Sequence, residues 1–287
     1  MYKNKMIKSS LMKRNLYKFL ANRLAIAGLV IVAIILFATI FAPFLTKYDP
    51  SYVDTSIRFL PPSFDHWQGT DNVGRDVFTR LLYGGRVSIL IGVVSAVGAS
   101  LIGVILGCIS GYFGRKVDSV ILFVSETFMI FPDILLIMIL VGFAGRGLLN
   151  LILIFSITGW TRAQRIVRGK FLSLREEPFV ESCRANGISK LSIMFKHLLP
   201  NTLGPVIVNI TLLTAGYVLA EAGLSFIGLG VEPTIPTWGN IINAAKSLLV
   251  MQNHPLLWIA PGIAISLFVL GINFFGDGLR DVFDPTQ

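Results

Sequence analysis

The sequence predicts an all-α, polytopic membrane protein with about six transmembrane helices, and three observations lead to this prediction. Hydrophobic residues make up 54% of the 287 residues and charged residues only 14%, whereas soluble domains carry about 25% charged residues. Long apolar runs recur along the chain, and basic residues gather in alternate segments between them. The composition excludes a disordered protein, a collagen-like fibre and a disulfide scaffold.

The first apolar run follows a basic N-terminal segment. Residues 1–23 contain seven lysines and arginines and no acidic residue, and residues 24–45 form the run. As a helix, the run would span about 33 Å, which is enough to cross a bilayer core. The apolar core of a cleaved signal peptide is only about 7–15 residues long. We therefore expect an uncleaved transmembrane helix whose basic end lies in the cytoplasm.

The rest of the chain divides by hydropathy into a polar segment and a membrane domain. Residues 46–86 are polar, rich in turn residues and electrically neutral, and we expect them outside the cytoplasm. Residues 87–276 are predicted to form a membrane domain of five helices, and residues 277–287 a cytoplasmic tail. The predicted spans of this domain are 87–112, 117–143, 148–160 with an extension, 202–219 and 256–276.

The distribution of basic residues predicts the orientation of these spans. The N-terminal segment and the connecting segment 161–201 hold fifteen of the 25 lysines and arginines. The intervening polar segments have no such excess, so the positive-inside rule places both termini and residues 161–201 in the cytoplasm. A net charge of +9 is therefore a topology signal. Nucleic-acid binding is not expected, because no basic face with interleaved stacking aromatics is visible.

The second predicted span carries small residues at every fourth position. Close packing drives helix association in lipid, and small residues let two backbones approach each other. The sequence therefore predicts that this helix lies at the centre of the bundle. The positions are Ser95, Ala99, Gly103, Gly107 and Gly111.

Two acidic residues, Glu126 and Asp133, lie within the third predicted span. In a continuous helix, a separation of seven residues places both carboxylates on one face, and burying a charge in lipid costs about 2.5–3.5 kcal/mol. We expect Pro132 to kink the helix and the shared face to line a translocation pathway. The alternative is that Glu126 lies near the cytoplasmic end, where a neighbouring helix or lipid headgroups satisfy it. Asn209 and Asn273 are weaker candidates for the pathway.

The sequence gives little support for catalysis. It contains no Walker motif, zinc-protease helix or nucleophile elbow, and its three histidines are scattered. We expect no metal site, although His66 lies close in sequence to Asp65 and Asp71. Cys108 and Cys183 are expected to be reduced structural thiols.

The segment between the fourth and fifth spans predicts a basic helical hairpin. A short helix would end at Gly187, which permits a sharp turn, and a second amphipathic helix would end at Pro200. Val180, Cys183 and the following turn, which includes Ala185, would form a compact knob. A hairpin this small suits docking into a groove of a partner protein.

This segment closely resembles the EAA loop of ABC importer permeases, whose pattern is E-A-A-x3-G-x9-I-x-L-P. Glu181, Gly187, Leu199 and Pro200 match the pattern. The chain departs from it where Ser182 and Cys183 replace the two alanines and where His197 replaces the isoleucine.

Three further stretches resemble the C-type permeases of dipeptide, oligopeptide and nickel importers. They precede the second span, follow the fifth span and form the tail, in the same order as in that family. The stretches are 69–88, 220–230 with 236–240, and 276–285.

The resemblance implies a type I ABC importer permease fold and a pore-forming subunit that works by alternating access. It implies four kinds of partner: a second, homologous permease, two ABC ATPases, an extracytoplasmic substrate-binding protein and membrane lipid. ATP and magnesium would bind to the ATPases, and this chain would bind no cofactor. Short peptides are the implied cargo. Nickel or another metal chelate is the alternative cargo, and an ion-coupled secondary transporter and a membrane enzyme are alternatives of other classes.

Overall fold

The computed structural model describes residues 17–283. Residues 1–16 and 284–287 lie outside this range, and with them most of the predicted basic N-terminal segment and the end of the predicted tail. Residues 17–283 contain helices and connecting loops but no β-strand, which confirms the predicted all-α fold class.

Within residues 17–283, ten helices of seven or more residues are labelled here α1 to α10. Shorter helical elements are named by their residue bounds. The labelled helices are α1 Arg23–Ile40, α2 Val77–Phe113, α3 Arg115–Ile130, α4 Asp133–Ala144, α5 Leu148–Thr158, α6 Trp160–Leu174, α7 Pro178–Ala185, α8 Leu203–Phe226, α9 Trp238–Ala244 and α10 Leu256–Phe283. The shorter elements are Ala42–Leu45, Thr55–Ile57, Lys190–Ser192, Ile193–Leu198, Leu199–Thr202 and Leu248–Asn253.

Helix α1 begins where the sequence predicted a span. The Asn22 side chain caps it by accepting hydrogen bonds from the backbone amides of Leu24 and Ala25, both at 3.1 Å. The same side chain donates to Asp281 at 2.8 Å, and α1 packs along α10. Helix α1 therefore lies against the last helix of the chain.

Helix α2 is longer than the apolar run that predicted it. It has 37 residues, or about 55 Å, and it starts at Val77, where the Asp76 carboxylate accepts from the Thr79 amide at 2.7 Å. Residues 77–86, which were predicted to belong to the polar outer segment, therefore form the first turns of a membrane helix. The apolar run of residues 87–112 therefore predicted only the later part of this helix.

The polar segment before α2 is folded onto a second loop. The buried Arg80 side chain donates to the carbonyl of Pro50 at 2.9 Å and to that of Pro233 at 3.4 Å. Arg75 pairs with Asp71 at 2.7 Å. These contacts join the loop before α2 to the loop after α8.

The third predicted span is broken. Helices α3 and α4 meet at an angle of 90° across Phe131 and Pro132. Proline has no amide hydrogen and disfavours helical backbone in the residue before it, and Phe131 is accordingly extended. The prediction that Glu126 and Asp133 share one helix face is therefore wrong, because the two residues lie on different helices.

The fourth predicted span, 148–160 with an extension, coincides with α5 and the start of α6, which meet at Gly159. A Cβ atom at Gly159 would lie 1.7 Å from the Tyr217 hydroxyl, so only glycine fits this junction. Within residues 17–283, four helical segments are long and apolar enough to cross a bilayer, or five if α3 and α4 together form one span. The α5–α6 pair is not among them, and the predicted number of six spans stays a prediction.

Glycine contacts hold α2 against α6 in the centre of the bundle. A Cβ atom would lie 2.5 Å from the Trp160 carbonyl oxygen at Gly103 and 2.7 Å from the Gln164 carbonyl oxygen at Gly107. At Gly111 it would lie 2.5 Å from the Phe171 side chain. Ala99, one step earlier on this face, is fully buried in a cluster that includes residues of α5. The small residues thus face α5 and α6.

Candidate functional site

The break between α3 and α4 borders a cavity of about 580 Å³. Its wall also includes the α5–α6 junction and one face of α8. Irregular backbone is tolerated at membrane depth where it borders a cavity, since water can satisfy its polar groups there. The lining residues are Met129, Phe131, Pro132, Asp133, Ile134, Ile137, Thr158, Gly159, Thr161, Arg162, Leu212, Leu213, Gly216, Tyr217 and Ala220.

Two opposite charges border this cavity, Asp133 in the first turn of α4 and Arg162 in the first turn of α6. Tyr217 borders the same cavity, and its hydroxyl donates to the Phe155 carbonyl at 2.9 Å. Asp133 is thus the one predicted pathway residue that borders this cavity. Glu126 is exposed elsewhere on α3.

A second cavity of about 350 Å³ adjoins the first, and Arg162 and Leu212 border both. The third predicted pathway residue, Asn209, borders this second cavity. Asn209 is 2% exposed, and neither its amide nitrogen nor its amide oxygen has a hydrogen-bond partner. The structure therefore separates Asp133 and Asn209 into neighbouring cavities.

The segment that resembles the EAA loop forms α7, a turn and a run of tight helical elements. The structure agrees with the prediction of a short helix ended by a glycine, since Gly187 has φ +71° in the left-handed region. Glu181, Ser182, Ala185 and Gly187 are exposed. A Cβ atom at Gly187 would meet open space, so the glycine serves the turn and not a close contact.

The inner face of α7 is anchored. Val180 is fully buried in a cluster with Phe171, Met194 and Leu198, and Cys183 packs against the same cluster. The prediction that Val180 forms part of a presented knob is wrong, because its side chain points into the protein. Helix α7 is therefore fixed to α6 and to the segment before α8, while its outer face is exposed.

Pro200 does not end the second helix of the hairpin. Lys190–Ser192 continues into a π-helix, Ile193–Leu198, and then into a 3₁₀-helix, Leu199–Thr202, which leads directly into α8. Pro200 lies in the first turn of the 3₁₀-helix, where its missing amide hydrogen costs nothing. Leu199 is half-buried and Pro200 exposed. The hairpin is therefore continuous with the next membrane helix.

An ion pair joins α6 to α3 close to this segment. Arg168 makes two hydrogen bonds of 2.6 Å to the Asp118 carboxylate, which also accepts from the Ser110 hydroxyl. The pair fixes the end of α2, the start of α3 and the middle of α6 to one another.

The buried carboxylate of Glu221 was missed by sequence reasoning, which assigned Glu221 to an outer loop. It lies inside α8, is fully buried, and accepts from the hydroxyls of Ser88 at 2.8 Å and Ser225 at 2.7 Å. The spacing of Ser225 four residues after Glu221 was an available signal. The sequence analysis also did not single out Arg162 as a cavity residue, because it treated Arg162 only as one residue of the basic segment.

His66 and the two cysteines were weighed in the sequence for metal or thiol chemistry. His66 bonds to Asp76 at 2.9 Å and not to Asp71. Cys108 and Cys183 are free thiols. Across residues 17–283, no three His, Cys, Asp or Glu residues lie close enough to hold a metal ion.

A bundle of apolar helices around a cavity with charged walls is the architecture of a membrane transport protein. Residues 103–287 match the family model of the binding-protein-dependent transport system inner membrane component. Residues 10–62 match the N-terminal transmembrane domain of oligopeptide transport permease C. The chain therefore belongs to the family of binding-protein-dependent inner membrane components and is a multi-pass membrane protein.

Relatives of nearly full length agree with the family match. A protein of Brucella suis biovar 1 (strain 1330), provisionally named a peptide permease, is 41% identical over 274 residues, which cover 96% of this chain and 91% of the relative. The dipeptide transport system permease protein DppC of Alkalihalophilus pseudofirmus is 40% identical, and the match covers 93% of this chain and 87% of the relative. The oligopeptide transport system permease protein OppC of Bacillus subtilis is 38% identical, and the match covers 96% of this chain and 90% of the relative.

Proposed function

We propose that this chain is a pore-forming subunit of an ATP-driven importer of short peptides. The observation that carries the proposal is similarity over nearly the whole chain to permeases named for dipeptide and oligopeptide transport. The family membership favours the ABC importer over the ion-coupled secondary transporter. Peptides are preferred to nickel chelates as cargo because the relatives described above carry peptide names.

The proposed path of the cargo includes the cavity at the α3–α4 break. Transporters often place substrate where membrane helices are discontinuous, since the freed backbone groups and helix ends offer hydrogen bonds and partial charges. Asp133 at the start of α4 and Arg162 at the start of α6 supply one charge of each sign. Peptides carry both an ammonium and a carboxylate group, which suits such a wall. Asn209 borders the neighbouring cavity and not this one, and Glu126 would not contact cargo.

The exposed face of α7 is proposed as the docking surface for an ABC ATPase. Its residues Glu181, Ser182 and Ala185 and the Gly187 turn are exposed, while Val180 anchors the helix to the bundle. A movement of the docked helix would therefore move α6 and α8 with it. Such a two-state element couples nucleotide binding to alternating access.

The proposed assembly contains a second, homologous permease, two ABC ATPases and an extracytoplasmic binding protein. The basic segment 161–201 and both termini would lie in the cytoplasm, and residues 46–76 would lie outside. ATP and magnesium would bind to the ATPases. This chain would bind neither.

The substitution Ala185→Trp tests the coupling surface. Residue 185 is exposed, so the variant should insert and fold, while the large side chain should block docking. We expect a loss of at least tenfold in binding-protein-stimulated ATP hydrolysis by the reconstituted transporter, because about 1.4 kcal/mol of lost docking energy corresponds to tenfold.

The matched control is Ser119→Trp, because Ser119 is also exposed and lies in the first turns of α3. It should leave the stimulated ATPase rate within about twofold. Equal losses from both variants, or none from Ala185→Trp, would contradict the proposed docking surface.

A further inference from the structure

The second cavity carries an excess of positive charge. Helices α6, α8 and α10 form its walls, and Arg162, Lys170 and Arg280 border it. No acidic residue is among its lining residues, which are Arg162, Ile166, Lys170, Pro205, Val208, Asn209, Leu212, Arg280 and Phe283. The cavity is thus basic on its polar side and apolar elsewhere.

The described residues provide no ion-pair partner for these cations. Among residues 17–283, Arg162, Lys170 and Arg280 have no ion-pair partner, although Arg75, Arg80, Arg168 and Arg175 are all paired with carboxylates. Asp281, the acidic neighbour of Arg280, instead accepts a hydrogen bond from Asn22. The three side chains are exposed and border one open cavity that has no acidic residue in its wall.

A neutral polar group borders the same space. Asn209 is 2% exposed, and its amide oxygen and nitrogen both lack partners. A buried amide without a hydrogen-bond partner is unfavourable, and the described residues provide none for Asn209. An anion in the cavity could accept a hydrogen bond from the amide nitrogen while the cations neutralise its charge.

We propose that this cavity binds the phosphate of an anionic phospholipid headgroup. Lys170 lies towards the end of α6 and Arg280 towards the end of α10, at the side of the membrane where the basic residues gather. Basic pockets between membrane helices on the cytoplasmic side bind such headgroups. Phe283 and Leu212 supply apolar wall for the adjoining part of a lipid. A soluble phosphate shares the anionic group but lacks the apolar part.

The test is retention of lipid by the full-length chain, purified with the subunits that remain bound to it. Phosphatidylglycerol and phosphatidylcholine with identical acyl chains are added to the detergent-solubilised protein, and bound lipid is counted by native mass spectrometry. A separate arm measures binding of radiolabelled inorganic phosphate by equilibrium dialysis. The lipid readout needs no cargo and no ATP, so it is independent of the proposed transport function.

The unmodified chain should retain phosphatidylglycerol in preference to phosphatidylcholine. Lys170→Gln and Arg280→Gln should each weaken this retention about fivefold, which corresponds to about 1 kcal/mol per basic residue near an anionic headgroup. The matched control is Arg165→Gln, an equal change of charge at an exposed position of α6 that does not border the cavity.

Three results decide the proposal. Equal retention of both lipids by the unmodified chain would overturn it, and so would equal losses from Arg165→Gln and from the two cavity variants. Binding of inorganic phosphate that Lys170→Gln and Arg280→Gln weaken, without selective lipid retention, would overturn the lipid assignment and give the site to a soluble phosphate.

Discussion

At the scale of single residues, buried hydrogen bonds connect parts of the chain that the apolar pattern does not relate. The amide of Trp238 donates to the Ser88 hydroxyl at 3.2 Å, and Ser88 donates to Glu221 at 2.8 Å. This network joins the start of α9 to α2 and α8. A buried carboxyl group is stable only when its polar atoms are hydrogen-bonded, so Glu221 depends on both serines.

The first residue-scale prediction concerns Glu221. Glu221→Ala should lower the stability of the purified protein by about 2 kcal/mol, because it leaves the hydroxyls of Ser88 and Ser225 without their buried acceptor. Glu221→Gln keeps one acceptor oxygen and should cost less. Thermal unfolding followed by tryptophan fluorescence measures both, and a Glu221→Gln loss as large as that of Glu221→Ala would contradict the network.

At the scale of elements, interruptions of helices create the candidate site. Pro132 separates α3 from α4 and gives the cavity an irregular wall, and Gly159 lets α5 and α6 meet against Tyr217. Close glycine contacts then hold α2 to α6. The cavity therefore depends on where helices stop and on how closely they approach one another.

The element-scale prediction concerns the α2–α6 contact. Gly107→Val should destabilise the protein by about 1–3 kcal/mol, because the added Cβ atom would lie 2.7 Å from the Gln164 backbone. Thermal unfolding in detergent measures the loss.

The control for this prediction is Gly169→Val, since a Cβ atom at Gly169 meets nothing within 4 Å. Valine has the same effect on helix propensity at both sites, so only packing separates the two variants. Similar melting temperatures for the two variants would count against a tight α2–α6 contact.

At the scale of the whole molecule, charge and hydropathy divide the chain between two aqueous sides and the lipid. The outer surfaces of the long helices expose large apolar side chains such as Leu24, Ile34, Leu101 and Ile105, which suits contact with lipid. The basic residues of α6 and α7 are predicted to lie towards one end of the bundle. The loops joined by Arg80 are predicted to lie at the other end.

The whole-molecule prediction is the topology. In a Cys183→Ser background, Cys108 remains fully buried, so single cysteines can be placed at exposed Ser63 and Asn186. A membrane-impermeant maleimide should label Ser63→Cys in intact cells and Asn186→Cys only after permeabilisation. The reverse pattern would invert the orientation that the positive-inside rule predicts.

The predictability of the site differs from residue to residue. Gly187 was recognised in sequence because a turn after a short helix needs a residue that tolerates positive φ. The broken geometry at Pro132 was predicted only as a kink, since the size of the bend depends on the helices packed around it. Other features depend on residues that are distant in sequence. They are the burial of Val180, the position of Arg162 between two cavities and the hydrogen-bond partners of Glu221.

The sequence by itself determined the membrane class, the main apolar helices, the basic segment beside the bundle and the family resemblance. These follow from composition and local pattern, because lipid requires long apolar helices whose backbones are hydrogen-bonded internally. Only the tertiary structure decided that Asp133 and Asn209 border different cavities, that Glu126 borders neither of them and that three cations share a space without a counter-charge. The reason is that local pattern sets where helices form, whereas contacts between distant helices set which side chains meet.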